Sequence, residues 1–388
     1  MPIRSAINDL VPEVRAWRRE LHQNPELMYD VEETAKFVAA RLRAFGCDEV
    51  RTAIGRTGVV GVIRGERGAS SRTIGLRADM DALPIEEETN LPYRSRSPGK
   101  MHACGHDGHT AMLLGAARRL AETRNFAGAA VVIFQPAEEG GAGAMAMIDD
   151  GLMDEFGVEQ VYGMHNWPGS PVGSFSLRKG PLMASADEIT ITIEGKGGHG
   201  AFPHLCIDPV MAGAQVILAL QTIASRNVDP LDACVVSITR FQAGTANNII
   251  PQTAWLNGTV RTLRPATRAK VEKRIHEIAA GLAEASGASA RVEYRRGYPP
   301  TINHEAQTDF AAGVARKVAG DAHVDANTPP TMGAEDFSFM LEARPGAFIF
   351  IGNGDSAGLH HPSYDFNDDV LPYGMSYWVE LVETALAP

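Results

Sequence analysis

The chain has 388 residues, 44% hydrophobic and 21% charged, which are the proportions of an ordinary globular protein of two or three domains. The formal net charge of −11 argues against nucleic acid as a partner, because phosphate binding requires a clustered basic face. No apolar stretch is long enough to span a bilayer, and the first residues contain no signal-peptide core. We therefore expect a cytoplasmic protein with no membrane partner.

The first half of the chain predicts helices and buried strands that alternate with candidate site residues. Amphipathic patterns predict helices at 5–24 and 31–45, and the latter follows a break at Asn24-Pro25. Short apolar runs predict buried strands at 58–63, 73–78, 129–134 and 161–164. A helix is predicted at 110–123. This alternation is typical of an α/β layer architecture.

The pattern changes at Gly180-Pro181 and resumes near residue 297. Between these points the sequence predicts the order β-α-β-β-α-β, with elements at 186–194, 208–226, 233–242, 252–263, 266–286 and 289–296. We therefore predict an inserted α+β domain of the split βαβ, ferredoxin-like type at 183–296. The mixed-sheet α/β/α catalytic domain is expected at 1–182 and 297–388, with its last elements at 305–319, from Glu335, at 347–351 and from 371.

Thiol, imidazole and carboxylate groups occur near the predicted strand ends, and these groups are ligands of divalent transition metals. They are Cys104, His106, Glu138 or Glu139, His165 and His360 or His361. Open α/β sheets form their sites outside the carboxyl ends of the strands, so these groups are expected to meet there. Five or six such groups are enough for two cations that share a bridging ligand, and a thiolate can bridge.

The doublet Glu138-Glu139 predicts a division of roles. Neighbours in an extended segment point to opposite sides, so one carboxylate could bind metal while the other reaches the attacking water. His109, at the start of a helix, ranks below His106 as a ligand. The other imidazoles with polar neighbours are predicted to be surface groups: His22, His276, His304 and His323.

Six motifs together resemble those of the M20 metallopeptidase family: MHACGHDGHTAMLLGAA, QPAEEGGAGA, MHNWP, GKGGHGAFPH, GTANNIIP and LHHP. The resemblance extends from HQNPEL at 22–27 to YDFND at 364–368 and is strongest to the amidohydrolase branch, which includes hippurate hydrolases, amino acid deacetylases and auxin-conjugate hydrolases. It implies two divalent ions per subunit (Zn, Mn, Co or Ni), with Glu138 as the general base toward water held by the metals. The ligands that it implies are Cys104, His106, Glu139, His165 and His360.

The resemblance also implies roles for the inserted domain, as a lid and as the contact of a homodimer or higher homo-oligomer. His199 would stabilise the oxyanion of the tetrahedral intermediate in the partner's active site. Asn247 and Arg261 would hold the substrate carboxylate, for which a guanidinium is well shaped.

The expected activity is therefore hydrolysis of an N-acyl amino acid of the hippurate or N-acetyl type. The alternatives are a dipeptidase or carboxypeptidase of the same family and, in another class, a non-catalytic metal- or ligand-binding protein. The sequence differs from the motifs of the other branches of the family at the turn Asp79-Met80-Asp81, where those branches have a histidine and an aspartate. Cys104 and His106 are expected to replace that histidine, and Asp81 to orient a ligand.

Overall fold

The computed structural model describes residues 5–388, which divide into two compact units. The first unit comprises the described residues up to Gly180, together with Ile302–Pro329 and Asp336–Pro388. The second unit comprises Pro181–Thr301 and Pro330–Glu335, so it is an insertion in the chain of the first.

The first unit contains an eight-stranded mixed sheet whose four central strands are parallel. All seven residues of Ala129–Gln135 are buried, as expected for a strand covered on both faces. The carboxyl ends of the parallel strands lie at one edge of the sheet, so the segments after Asp79 and Gln135 meet there. The strands in spatial order are Glu49–Ile54, Gly58–Arg64, Ala129–Gln135, Thr73–Asp79, Gln160–Pro168, Gly346–Gly354, Phe175–Ser176 and Val324–Asp325.

Two groups of helices pack on the sheet of the first unit. Leu76 and Ala78 point to the larger group, whereas Arg77, between them, points to Phe337 of the smaller group, as the alternation of a strand requires. The larger group is Ser5–Asn8, Val11–Gln23, Glu32–Ala44, His106–Thr123, Glu305–Ala319 and Leu371–Ala385. The smaller group is Gly143–Asp149, Leu152–Glu155 and Phe337–Ala343. None of the described helices combines the length and apolar character needed to cross a bilayer.

Two helices have bounds in the structure that differ from the predicted bounds. The helix predicted at 5–24 is interrupted, with one short helix at Ser5–Asn8 and a second at Val11–Gln23. Pro12 explains the restart, because proline fits only the first turn of a helix. The helix predicted to begin at 110 begins at His106 instead, directly after Gly105, which has a positive φ of 85°.

The second unit contains a four-stranded antiparallel sheet packed against two helices. In spatial order its strands are Cys234–Ala243, Thr253–Thr262, Asp187–Glu194 and Ser289–Arg296. The helices are Pro209–Thr222, which continues as one π turn at Ile223–Asn227, and Pro265–Ala285. This order of elements confirms the predicted ferredoxin-like class, with alternate residues of the strand Asp187–Glu194 fully buried in its core.

The remaining elements are short. Gly198–His199 and Ile249–Ile250 pair antiparallel in the second unit. The chain passes from one unit to the other within the strands Gly180–Met183 and Thr301–Asn303, and again at 329–330 and 335–336. Single turns of 3-10 helix lie at Pro203–Leu205, Asp321–His323 and Asp368–Val370.

Candidate metal centre

The five predicted metal ligands all belong to the first unit, and the structure brings them together. Cys104 Sγ lies 3.3 Å from His165 Nε2. His360 Nε2 lies 3.3 Å from Glu139 Oε1, and His106 Nε2 lies 3.9 Å from the same oxygen. Residues far apart in the chain therefore present one thiol, three imidazoles and one carboxylate to a common space.

These donors form overlapping groups of ion-binding size. Cys104, His106 and His165 offer ligand atoms that lie within 4.8 Å of one another, and so do Cys104, Glu139 and His360. Cys104 belongs to both groups, which is the position that a bridging ligand requires. Glu138 joins a third group, with His106 and Glu139.

The hydrogen bonds of the histidines leave one nitrogen of each ring available for a metal. His106 Nδ1 donates to the backbone oxygen of Asp81 at 2.8 Å, and His165 Nδ1 donates to that of Asn166 at 2.6 Å. In the neutral form of each ring the lone pair therefore lies on Nε2, since the carbonyl partner fixes the tautomer. His106 Nε2 is buried and has no hydrogen-bond partner among the described residues. An orphaned acceptor of this kind fits a metal.

The electrostatics of the donors also fit a divalent cation. Burial, followed by the negative charges of Glu139 and Glu138, raises the pKa of Cys104 well above its usual range. Only a nearby cation would hold this thiol as the thiolate, which is the form that binds metal. Burial lowers the pKa of His165 well below its usual range and keeps the imidazole in its neutral, ligand form.

Glu138 and Glu139 lie in a turn rather than in the extended segment that the sequence suggested. The strand ends at Gln135, and Ala137 then has a φ of 54°. Asp81 explains this conformation, because its two carboxylate oxygens accept the backbone N–H groups of Glu138 at 3.0 Å and Glu139 at 3.1 Å. The two carboxylates nonetheless remain adjacent.

The positions of His165 and His360 differ from simple strand ends. His165 lies within the strand Gln160–Pro168 and pairs with Phe350, because the strand continues past the point that the sequence suggested. His360 lies in the segment after Gly346–Gly354, with a positive φ of 63° and a side chain that is 53% exposed. It is His360, rather than His361, that lies beside Glu139.

His109 is buried beside the donors, with its ring centroid 4.6 Å from that of His165, but both of its ring nitrogens are already hydrogen-bonded. Its Nδ1 donates to Asp79 Oδ1 at 2.7 Å, and its Nε2 accepts the backbone N–H of Asn166 at 2.9 Å. Asn166 in turn donates to the carbonyl of Cys104 at 2.6 Å and accepts from the hydroxyl of Tyr364 at 2.7 Å. Sequence analysis missed Asn166 and Tyr364, although both lie inside quoted motifs.

A second buried network supports the turn that holds Glu138 and was also missed. The Arg77 guanidinium binds Asp79 at 2.7 Å, Gln135 at 2.8 Å and Asp336 at 3.0 Å. Asp336 also accepts the backbone N–H of Ala144 at 2.9 Å, just after the glycine-rich segment. Asp79 is only two residues away, but an isolated arginine inside a predicted strand gave no sequence signal for the distant partners Gln135 and Asp336.

The prediction that His22 lies on the surface is wrong. His22 is fully buried, with its Nδ1 2.9 Å from Asp107 Oδ2 and its Nε2 3.4 Å from Glu87 Oε2. Burial alone would lower the pKa of His22, but the Asp107 carboxylate, helped by Glu87, raises it to about 9. His304 is half-buried, with its Nδ1 accepting the backbone N–H of Gly346, while His276 and His323 are exposed.

The other predicted site residues lie in the second unit. His199 is exposed on the short strand that pairs with Ile249, so the turn containing Asn247 lies next to it. Asn247 is also exposed. Arg261 is half-buried in the strand Thr253–Thr262, and within residues 5–388 its guanidinium forms no ion pair.

Comparison with known proteins shows the family. The model of peptidase family M20/M25/M40 matches residues 75–384. A hippurate hydrolase of Campylobacter jejuni is 46% identical over 97% of each chain. An N-acetyl-L-cysteine deacetylase of Bacillus subtilis is 43% identical over 91% of this chain and 83% of its own.

The solved structures agree with this assignment. A Bacillus subtilis protein described as a dinuclear metal-binding peptidase of the M20 family superposes with a TM-score of 0.86. It is 36% identical, and the match covers 98% of this chain and 99% of that one. The donor set described above fits the use of divalent metal. The chain therefore belongs to peptidase family M20/M25/M40, and within it to the branch of metal-dependent amidohydrolases.

Proposed function

We propose that this enzyme hydrolyses the amide bond of N-acyl amino acids, releasing a carboxylic acid and a free amino acid. The observation that carries the proposal is the place of Glu138, whose carboxylate lies with the ligand atoms of His106 and Glu139 within 4.8 Å. The relatives named hippurate hydrolase and N-acetyl-L-cysteine deacetylase support an N-acyl amino acid as the substrate class.

In the proposed mechanism, Glu138 is the general base and then the general acid. It accepts a proton from water as the water oxygen attacks the carbonyl carbon, and donates that proton to the amine nitrogen as the C–N bond breaks. Glu138 is only 7% exposed, so few bulk waters compete for the proton. The hydrogen bond from its backbone N–H to Asp81 fixes the main chain from which it extends.

We further propose two divalent ions per subunit, drawn from Zn, Mn, Co and Ni, which the two donor groups that include Cys104 would hold. A divalent metal there would supply Lewis acidity, which polarises a carbonyl and lowers the pKa of water. A mixed thiolate, imidazole and carboxylate set suits these metals. The residues that would hold them are Cys104, His106, Glu139, His165 and His360.

The second unit is proposed to form a homodimer and to supply His199 to the partner's active site, with Asn247 and Arg261 holding the substrate carboxylate. The strand Cys234–Ala243 is at an edge of its sheet, and an open edge favours pairing with another chain. Exposed apolar side chains support the same contact, since such patches mark interfaces. They are Met211 and Leu218 on the helix Pro209–Thr222 and Phe241 on the edge strand.

A cytoplasmic location is proposed as well. None of the four cysteines forms a disulfide within residues 5–388, which is the usual state in a reducing compartment. Cell fractionation against a cytoplasmic marker enzyme tests this location directly.

A peptidase of the same family is the second candidate, because the superposed Bacillus subtilis protein is described as a peptidase. The two activities differ in the group on the carbonyl side of the scissile amide: an acyl group without a charge, or an aminoacyl group with a free ammonium.

A substrate panel separates these candidates. Metal-depleted enzyme is reconstituted in turn with Zn, Mn, Co or Ni and assayed with N-benzoylglycine, N-acetyl amino acids and matched dipeptides. We expect at least one N-acyl amino acid to exceed its matched dipeptide by more than about tenfold in kcat/KM, a difference of about 1.4 kcal/mol in transition-state binding. Faster dipeptide cleavage with every metal would assign the enzyme to the peptidases, and metal binding without any hydrolysis would indicate a binding protein.

A further inference from the structure

We propose that the segment His22–Met28 is a positioning element of the metal centre, and that His22 is its principal positioning residue. The segment begins in the last turn of the helix Val11–Gln23 and contains none of the proposed ligands. It nevertheless contacts three separate turns that carry ligands or their supports. The inference rests on the metal centre proposed above.

The first contact is between His22 and Asp107, the residue that directly follows the ligand His106. The 2.9 Å hydrogen bond from His22 Nδ1 to Asp107 Oδ2 is fully buried. Arg18, one helical turn before His22, lies 3.5 Å from the same carboxylate oxygen. Because Asp107 is in the first turn of the helix His106–Thr123, these contacts fix the main chain from which His106 extends.

The helix Val11–Gln23, which contains Arg18, also contacts the segment that carries His360. The Arg18 guanidinium lies 2.8 Å from Asp368 Oδ1 and 3.7 Å from Asp365 Oδ1. The carboxylates on both sides of Arg18 thus belong to two different ligand-bearing segments. The buried Arg18 guanidinium therefore sets the spacing between these two segments. The hydrogen bond from His22 to Asp107 fixes the position of this guanidinium relative to Asp107.

The second contact supports the turn that contains Asp81. The backbone N–H of Ala82 donates to the carbonyl of Glu26 at 2.8 Å, and Leu27 pairs with Ala82 in an isolated parallel bridge. Asp81, the neighbour of Ala82, accepts both backbone N–H groups of the glutamate doublet and receives His106 Nδ1 on its own carbonyl. Displacing Glu26 would therefore displace a residue that orients three site groups.

The third contact reaches the glutamate doublet directly. The backbone N–H of Ala137 donates to the carbonyl of Met28 at 3.0 Å. Both residues have a positive φ, 53° at Met28 and 54° at Ala137, a conformation that is costly for a residue with a side chain. The backbone is therefore strained at both ends of this hydrogen bond, and Ala137 is the residue directly before Glu138. This strain indicates that the hydrogen bond serves to position Glu138.

A positioning role predicts weaker metal binding in a protein that remains folded. His22→Ala should raise the dissociation constant for Zn or Mn by about 10–100-fold, the usual effect of removing a group that orients a metal ligand. His22→Asn should recover part of this loss, because the Asn amide can donate to Asp107 from nearly the position of Nδ1. His276→Gln, an exposed histidine in the second unit, is the control and should match the wild type.

The measurement is competition for metal with a chromophoric chelator, using full-length protein whose fold is checked by circular dichroism. A merely structural role of His22 would lower the melting temperature and leave the dissociation constant of the folded protein unchanged, and that result would overturn the inference. If His22→Ala does not fold, equal affinities of His22→Asn and His22→Gln, which lacks a donor at the Nδ1 position, would overturn it. Wild-type protein that binds metal but hydrolyses no acyl amino acid would instead refute the proposed function alone.

Discussion

At the residue scale, the candidate centre depends on side chains that use one polar atom for support and keep the other for an ion. His106 and His165 both donate Nδ1–H to a backbone carbonyl and keep Nε2 toward the common space. His109, only three residues after His106, uses both nitrogens in hydrogen bonds and keeps none. Spacing in the sequence could rank these histidines but could not show this difference, because it depends on Asp79 and Asn166 from distant strands.

Removing the shared thiol gives a residue-scale prediction. Cys104→Ala should lower metal content and turnover together, because Cys104 belongs to both donor groups. The loss of affinity should equal or exceed the about 10–100-fold that follows loss of a group supporting a ligand. Metal analysis of the purified protein by mass spectrometry, together with kcat, measures both effects.

Cys206→Ala is the matched control. Cys206 is partly exposed in the second unit, away from all the proposed ligands in the sequence, so its substitution should leave metal content unchanged. Unchanged metal stoichiometry in Cys104→Ala would remove Cys104 from the centre.

Other residues show where sequence analysis fails. His22 lies in a largely polar stretch of the sequence, RRELHQNPE, which is typical of a surface position, yet its partner Asp107 is 85 residues away in the chain and His22 is buried against it. Arg77 interrupts an apolar run for a similar reason, since two of its partners, Gln135 and Asp336, come from distant parts of the chain. Buried charges are predictable only when both partners are known, and a single sequence does not pair them.

At the element scale, the helix His106–Thr123 connects the centre to the core. Fourteen of its eighteen residues are buried, so close packing rather than amphipathic patterning determines where it begins and which faces it presents. The regular strands were predictable because their residues are almost all apolar, as in Ala129–Gln135. The turn at Glu138 was not, because the carboxylate of Asp81 fixes it from another part of the chain.

Two helical glycines of the first unit give opposite predictions for stability. A Cβ added at Gly108 would overlap the buried ring of Phe366, so Gly108→Ala should destabilise the protein by about 1–3 kcal/mol. Apart from its chain neighbours and the adjacent helix backbone, a Cβ at Gly313 would meet no described atom within 4 Å, so Gly313→Ala should stabilise the helix by about 0.5–1 kcal/mol. Thermal denaturation in the presence of a chelator measures both changes without a contribution from metal.

The pair also tests whether the packing at Phe366 is as close as described. Equal melting temperatures for Gly108→Ala and Gly313→Ala would show that the Phe366 ring can move aside. Close packing would then not determine where the helix His106–Thr123 begins.

At the scale of the whole molecule, the order of elements was the most predictable property. The change of pattern at Gly180-Pro181 and the return of the first pattern near residue 297 already indicated an insertion with ferredoxin-like order. What could not be predicted was the short stretch Pro330–Glu335, which belongs to the second unit although it lies among elements of the first. No local pattern marks it, because its assignment depends on tertiary contacts.

The proposed dimer leads to a prediction for His199. His199→Ala should lower kcat by about 10²–10³, the effect of losing one oxyanion donor, without changing metal content. If His199 acts in the partner's active site, mixing His199→Ala with Glu138→Gln produces heterodimers that have one site with both residues intact. Activity should then rise well above that of either parent.

Subunit exchange must be verified independently, for example by mixing differently labelled proteins before the assay. Verified exchange with no recovery of activity would refute action in the partner's site. A monomeric mass by light scattering would refute the proposed homodimer.

The most direct test of the account is the hydrolysis of N-benzoylglycine and N-acetyl-L-cysteine by wild-type and Glu138→Gln enzymes with equal, measured metal contents. The amide keeps the shape of the carboxylate but cannot accept the proton. The account predicts that the wild type cleaves at least one of these substrates, and that Glu138→Gln binds metal normally with kcat lowered by about 10²–10⁴. Near-normal kcat in fully metal-loaded Glu138→Gln would contradict it.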